Sequence, residues 1–87
     1  MKILVKRREG LILRRIQHEL LLLDMEFNKI HQLNETASFI WDACQQVSDE
    51  VEIAKLLAQK YYVEEHVALN DVSVMVGKLR ELNLLVD

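Results

Sequence analysis

The chain has 87 residues and a formal net charge of −3 at pH 7, and 51% of its residues are hydrophobic. This length predicts a single domain over residues 1–87, and the apolar fraction is large enough for one core. No apolar run approaches the roughly 18 residues of a membrane span, since Leu20 to Leu23 lies between Glu19 and Asp24. The basic start lacks the long apolar stretch and cleavage site of a secretory signal, so we expect a cytoplasmic protein.

Charge is unevenly distributed along the chain. The first 16 residues carry six basic and one acidic residue, or +5, whereas the remainder carries five basic and 13 acidic residues, or −8. A nucleic-acid arm is one interpretation, although the acidic body would repel phosphate. The other interpretation is an exposed strand edge whose cations discourage aggregation.

The first third of the chain predicts a three-stranded antiparallel β-meander. Two apolar-rich runs, Leu11 to Ile16 and Glu19 to Asp24, are separated by Gln17-His18, which predicts a hairpin without the favoured turn glycine. Lys29 to Leu33 is the third predicted strand. The segment Lys2 to Arg8 is predicted to be a short edge strand or a loose arm.

The remainder predicts three helices, because it lacks proline and its apolar residues adopt the helical period of 3.6. Asn34 is predicted to cap the first helix, which runs from about Glu35 to Val47. The apolar face of this helix consists of Ala37, Ile40, Trp41 and Cys44. Because Cys44 is the sole cysteine, it cannot form an internal disulfide, and we expect a buried thiol in an intracellular protein.

The second helix is predicted over about Asp49 to Tyr61, with Asp49 and Glu52 forming a capping box. Its predicted buried stripe consists of Val51, Ala54, Leu57, Ala58 and Tyr61, widened by Ile53 and Leu56. The third helix is predicted over about Glu65 to Leu82 and ends at Asn83, a residue type that tolerates the left-handed conformation. We expect Leu84 to Val86 to fold back on the core.

The third helix carries more apolar surface than one core face requires. Its main core stripe is predicted at Ala68, Val72, Met75, Leu79 and Leu82. A neighbouring stripe mixes apolar and charged side chains at Val67, Asp71, Val74 and Lys78. The opposite flank is equally continuous and consists of Leu69, Ser73, Val76 and Arg80. Gly77 inside the helix indicates close approach by another group.

The chain shows no catalytic or metal-binding motif. The histidines, His18, His31 and His66, have no second ligand beside them at metal spacing. The acidic pairs Asp49-Glu50 and Glu64-Glu65 begin helices, where negative charge is favourable. Since a phosphate-binding glycine loop, a nucleophile elbow and a triad are also lacking, we predict a protein that is not an enzyme and needs no cofactor or metal.

The predicted third strand offers a binding site of another kind. An edge strand exposes unpaired backbone groups, and an extended peptide can add to such an edge by β-augmentation. If the third helix flanks this edge, its mixed stripe forms one wall of a groove. Apolar residues of that wall would contact apolar side chains of the peptide, and Lys78 or Asp71 would select peptide side chains of opposite charge.

The chain resembles the coenzyme PQQ synthesis protein D (PqqD-like) family, also described as the RiPP recognition element, which acts on ribosomally synthesised and post-translationally modified peptides. The resemblance spans Gly10 to Val86 and depends on the order and spacing of several short pieces. These pieces are Leu33-Asn34-Glu35-Thr36-Ala37, Ile40-Trp41, Ile53 to Leu57 with Tyr61, Asp71-Val72, Met75-Val76 with Leu79, and Leu84-Leu85.

The resemblance implies an α+β, winged-helix-turn-helix-like fold in which the three-stranded meander is followed by three α-helices. It also implies a peptide chaperone without catalytic activity, which binds the leader peptide of a precursor as an added strand and presents it to a modifying enzyme, often a radical SAM protein. Carried over to this sequence, the implied peptide-binding residues are Lys29, Ile30, His31, Gln32, Leu33, Asp71, Val74, Met75, Lys78 and Leu79. The sequence departs from the family pattern at His31, where an aromatic residue is common, and at Asn83, where glycine is common.

Three functional interpretations therefore remain open. The first is a leader-peptide module for PQQ or lasso-peptide biosynthesis. The second is a winged-helix nucleic-acid binder, which the few cations of the third helix disfavour: it carries only Lys78 and Arg80, beside several acids. The third is a structural subunit that forms a homodimer through spare apolar surface and free strand edges.

Overall fold

The computed structural model of the chain describes residues 6–7, 9–47 and 49–86. Within these residues, a three-stranded antiparallel meander precedes three helices, as predicted. A short strand at each end of the described chain forms a second, smaller sheet. The elements in chain order are β1 (Lys6–Arg7), β2 (Leu11–Ile16), β3 (Glu19–Asp24), β4 (Lys29–Leu33), α1 (Glu35–Cys44), α2 (Glu50–Tyr61), α3 (Glu65–Glu81) and β5 (Leu85–Val86).

The main sheet has the strand order β2-β3-β4, and the predicted bounds of all three strands are confirmed. The tight turn between β2 and β3 places Gln17 in the left-handed region, with φ +56°. The turn between β3 and β4 is held by Asp24, whose Oδ1 accepts hydrogen bonds from the backbone N–H groups of Glu26 and Phe27, each at 3.1 Å. A short acidic side chain thereby replaces glycine or proline as the turn-forming residue.

Alternation along the strands separates two faces of this sheet. Leu20 and Leu22 are buried on the face that packs on the helices. The other face carries a cross-strand row in which Leu23 pairs with Ile12 on one side and Ile30 on the other. Ile30 is 71% exposed, so this row is an apolar patch on the outer face of the sheet.

The second sheet joins the two ends of the described chain. Arg7 pairs with Leu85 and Lys6 with Val86 in antiparallel register. Leu84 and Leu85 are buried, which confirms that the last residues fold back on the core. Part of the segment predicted as an edge strand or arm, residues 2–5 and 8, lies outside the described residues.

The helix starts are set by capping side chains. Asn34 Oδ1 accepts a hydrogen bond from the backbone N–H of Ala37 at 2.9 Å, as the sequence predicts for an N-cap. Asp49 Oδ1 accepts from the N–H of Val51 at 2.8 Å, so Asp49 is the N-cap of α2 and the helix itself begins at Glu50.

Two helices end earlier than predicted. α1 ends at Cys44 rather than Val47, because the N–H of Gln46 donates to the carbonyl of Ala43 at 3.0 Å in a tighter turn. α3 ends at Glu81 rather than Leu82, because Asn83 adopts the left-handed conformation with φ +59°. The N–H of Leu84 then donates to the carbonyl of Leu79 at 2.9 Å, which is the six-to-one bond of a Schellman motif.

The core lies between the inner face of the main sheet and the three helices, with Trp41 fully buried within it. Other fully buried side chains from each packed element are Leu22, Ile40, Ile53, Leu57, Val72, Val76, Leu79 and Leu84. Across the outer side of α1 and α2, the Tyr61 hydroxyl donates to Glu35 Oε2 at 3.0 Å. Partial burial and this carboxylate raise the pKa of Tyr61.

Several predicted core positions are wrong. In α2, Val51 is 40% exposed and Leu56 is also exposed, because the helix buries the face of Ile53, Ala54, Leu57 and Ala58. In α3, Val76 is buried, although it was placed on the opposite flank. Leu82, predicted in the core stripe, is 39% exposed. A Cβ at Gly77 would meet no atom within 4 Å, so no group approaches this glycine closely.

None of the helices within the described part of the chain is long and apolar enough to cross a membrane.

Cys44 is buried beside the core, as its position on the apolar face of α1 predicts. Burial, followed by the nearby carboxylate of Glu50, raises the pKa of the Cys44 thiol from 9.0 to about 11, and Arg80 opposes the shift. The thiol is therefore neutral in the folded protein under conditions in which the unfolded chain begins to ionise.

We expect the free energy of unfolding to fall between pH 9 and 11, by about 2 kcal/mol, because the unfolded state loses the thiol proton before the folded state does. Urea unfolding at several pH values measures this slope. Cys44→Ala is the matched control, since it keeps all other titrating groups and should show a smaller loss across the same range. Equal slopes in the two proteins would contradict the buried, neutral thiol.

Tyr62 ends α2 in the left-handed conformation, with φ +56°, while its side chain is 94% exposed. Because a Cβ is unfavourable in this conformation and the ring makes little contact, Tyr62→Gly should raise the free energy of unfolding by about 1 kcal/mol. Tyr62→Ala retains the Cβ and serves as the control in the same urea titration. If alanine stabilises as much as glycine, the backbone conformation is not the cause.

Candidate functional site

The candidate site begins at the outer edge of β4. β4 pairs with β3 through residues 29–33, and no other strand of the described chain pairs with it. Its second edge therefore presents backbone N–H and C=O groups that are not used by the sheet. Such an edge is a template for an added strand.

The end of β4 is fixed by its connection to α1. Leu33 is buried, and its carbonyl oxygen accepts a 3.0 Å hydrogen bond from the Ser38 hydroxyl, which is itself buried. The next residue, Asn34, caps α1. On the opposite face of the strand, Gln32 Nε2 donates to Glu19 Oε1 on β3 at 2.6 Å. These bonds hold β4 in one position relative to both the helix and the sheet.

The wall facing this edge comes from α3. Asp71, Met75, Lys78 and Leu82 lie at i, i+4, i+7 and i+11, which places them on one face of the helix. The adjacent face buries Ala68, Val72, Val76 and Leu79. α3 thus presents one face to the core and a second, mixed face to the edge of the sheet.

Between β4 and α3 lies a cavity of about 350 Å³. Its lining brings together most of the residues that the resemblance implies. From β4 and the following turn these are Ile30, His31, Gln32, Leu33 and Asn34; from α1, Ala37; and from α3, Met75, Lys78, Leu79 and Leu82.

Two smaller depressions extend this cavity in opposite directions. At one end, Lys29 and Glu81 line a depression of about 210 Å³ that shares His31 and Leu82 with the cavity. At the other end, Asp71 and Val74 line a depression of about 300 Å³ that shares Asn34 and Met75 with it. The three together form one continuous groove, called here the β4–α3 groove.

The two walls of the groove match in length. Five strand residues span about 17 Å, at about 3.4 Å per residue. Eleven helical steps from Asp71 to Leu82 span about 16 Å, at about 1.5 Å per residue. The two elements run in opposite directions along the groove, since Lys29 and Glu81 share one end and Asp71 lies at the other. An extended segment of about five residues would fill this length.

All ten predicted site residues line the groove. Three further residues that line the central cavity, Asn34, Ala37 and Leu82, are not among the predicted site residues. For Leu82 a signal existed, because it lies four positions after Lys78 and seven after Met75. However, a leucine on the predicted core stripe favours a buried position, so the sequence predicts Leu82 in the core. The role of these residues in binding stays a prediction.

The groove combines apolar and charged side chains. The apolar side chains that line its central cavity are Ile30, Leu33, Ala37, Met75, Leu79 and Leu82, of which Met75 is the most flexible. Charged groups of both signs line the groove: Asp24, Lys29 and Glu81 at one end, Lys78 in the central cavity and Asp71 at the other end. His31 is half-buried in the floor, and its Nε2 is buried without a hydrogen-bond partner among the described residues.

Solved structures of three proteins share this fold. TbiB1 in complex with the TbiA(beta) leader peptide matches with a TM-score of 0.83 at 21% identity, covering 92% of this chain and 93% of that one. Lasso peptide synthetase B1 complexed with the leader peptide matches with a TM-score of 0.86 at 24% identity, covering 95% of this chain and 98% of that one.

The third is the PqqD truncation of Methylobacterium extorquens PqqCD, described as a functional, stand-alone RiPP recognition element. It matches with a TM-score of 0.75 at 20% identity, covering 95% of this chain and 88% of that one. No curated protein sequence matches the chain significantly. The sequence profile of coenzyme PQQ synthesis protein D (PqqD) matches residues 19–85, from β3 to the first residue of β5. Since this match covers most of the chain, the protein belongs to the coenzyme PQQ synthesis protein D family.

Proposed function

We infer that this chain is a non-catalytic module that binds the leader segment of a ribosomally made precursor peptide. The β4–α3 groove is the observation that carries this inference, because it combines an unpaired strand edge with a facing helix wall of the same length. The leader peptides bound to TbiB1 and to lasso peptide synthetase B1, which share this fold, support it.

In this proposal, the leader joins the sheet as a strand beside β4. Backbone hydrogen bonds to the free edge supply affinity without regard to sequence, and alternate side chains of the leader supply selectivity. Every second leader side chain points towards α3, on the same face as His31 and Leu33. The intervening side chains point to the outer face beside Ile30 and Gln32.

We also propose that the module presents the bound precursor to a modifying enzyme, such as a radical SAM protein, in the cytoplasm. The groove accommodates only about five extended residues, so the rest of a longer precursor would lie beyond its ends. That geometry supports a role in which one segment is held while another is modified. PQQ biosynthesis and lasso-peptide biosynthesis are both compatible pathways.

One observation favours a second candidate function, the homodimer. The row formed by Ile12, Leu23 and Ile30 leaves an apolar patch on the outer face of the sheet, which meets the groove at Ile30. Exposed apolar patches of this kind mark protein–protein contacts. The nucleic-acid alternative gains no such support, since Asp71 and Glu81 lie at the two ends of the groove.

The test is a titration with a synthetic leader peptide, taken from a short precursor gene next to the gene for this chain. Backbone amide NMR signals of residues 29–33 and of α3 should shift together, and the β4 amides should become protected from hydrogen exchange, because the new strand pairs with them. Shifts confined to β1 and β2 on adding DNA, with none in β4 on adding peptide, would contradict the proposal.

The double substitution Val74→Glu with Lys78→Glu should weaken leader binding about tenfold or more, since both side chains line the groove and Val74 is 63% exposed. Val51→Glu with Lys55→Glu is the matched control: it has the same spacing and charge change on the exposed face of α2. Isothermal titration calorimetry measures both. Equal affinities for the two doubly substituted proteins would show that this face of α3 does not bind the leader.

A further inference from the structure

His31 presents an unsatisfied polar atom in the middle of the groove. Its ring is half-buried at the junction of the central cavity and the Lys29 end, and Nε2 has no hydrogen-bond partner among the described residues. A buried polar atom without a partner is unfavourable, and such atoms in folded proteins call for an explanation. A ligand group that hydrogen-bonds to Nε2 would remove the penalty.

Lys78 places a positive charge in the same cavity. Its side chain is exposed, and it makes no ion pair or side-chain hydrogen bond with any residue that the structure describes. Lys78 and Met75 are both long and unbranched, so they can move aside to admit a ligand group into this cavity. The centre of the groove therefore holds two potential donors and no acidic side chain.

His31 Nε2 and the Lys78 ammonium favour a carboxylate over a hydroxyl as the ligand group. A hydroxyl could satisfy Nε2, but it would leave the Lys78 ammonium without a counter-ion. A carboxylate accepts from both, and hydrogen bonds between charged groups are the stronger kind. At the two ends of the groove, Asp24 with Glu81 and Asp71 would repel the same carboxylate, so its favourable position is on the side of the His31 ring that lines the central cavity.

The strand geometry determines where the next peptide side chain on the same face lies relative to this carboxylate. His31 and Leu33 are two residues apart on the same face of β4, so side chains of an added strand that face them are also two residues apart. The same cavity is lined by the apolar side chains of Ala37, Met75 and Leu79, which suit an apolar side chain of the peptide. The two subsites thus require one acidic and one apolar residue with a single residue between them.

We propose that the β4–α3 groove selects extended peptides in which an aspartate or glutamate and an apolar residue are separated by one residue. His31 Nε2 and Lys78 hold the carboxylate, while Leu33, Met75 and Leu79 contact the apolar side chain. This selectivity rests on the strand addition inferred above and names the class of leader that the module takes.

A displayed library of random 12-residue peptides, selected against the full chain, tests the pattern. The expected result is enrichment of an acidic and an apolar residue at this spacing, in peptides that shift the amide signals of residues 29–33. Enriched peptides that shift these signals without a preferred acidic position would overturn the selectivity and leave strand addition standing. A selection whose peptides leave these amides unshifted, or that yields no binder, would contradict both.

The affinities of a synthetic selected peptide and of its acid-to-amide variant, Glu→Gln or Asp→Asn, then measure how strongly the peptide carboxylate interacts with His31 and Lys78. On the unsubstituted protein this change should weaken binding about tenfold. On Lys78→Met or His31→Phe, the same change should matter clearly less, because one donor is gone. Lys55→Met, which removes an exposed lysine on α2, is the matched control and should retain the full effect.

Amide NMR spectra establish that each variant is folded, and the exposed position of Lys78 makes Lys78→Met the safer of the two groove substitutions. A full tenfold effect on both Lys78→Met and His31→Phe would overturn the assignment of the carboxylate to these residues, whatever the library selects.

Discussion

The connection between β4 and α1 is the constraint on which the rest of the structure depends. Asn34 both ends the strand and caps the helix, and Ser38, one turn into the helix, returns a hydrogen bond to the Leu33 carbonyl. Trp41 follows on the same helix and is fully buried. Trp41, the largest side chain of the core, thus lies only eight positions after the end of β4, the strand whose outer edge is free.

This connection explains why a free edge can be rigid. An isolated edge strand frays, because half of its backbone groups have no partner within the sheet. Here β3 pairs with β4 along its whole length, and the buried Leu33 holds its far end. A strand fixed in this way loses little conformational freedom when a peptide joins it, so more of the pairing free energy remains for binding.

α3 contributes side chains to two surfaces, the core and the groove. Its buried row, Ala68, Val72, Val76 and Leu79, packs on the core, and the adjacent row with Met75 and Lys78 faces β4. A helix with a single apolar stripe would leave the groove without a wall. The exposed Leu82 and half-buried Met75 are therefore consistent with a binding surface, although each alone resembles imperfect core packing.

Local patterns in the sequence determined much of this protein. Short apolar-rich runs and the turn residues between them identified the strands of the meander, and Asn34 and Asp49 identified two helix starts, because each depends on neighbours within a few positions. The predicted helix ends were less accurate, since the last turn of α1 is decided by competing backbone hydrogen bonds. The sequence did not determine the rotation of α3 about its axis: Val76 and Leu82 are both apolar, and only packing on α1, α2 and β5 decides which one is buried. Tertiary structure alone therefore assigned Asn34 and Ala37 to the groove and left His31 Nε2 buried without a partner among the described residues, because both outcomes depend on how a distant helix lies against the strand.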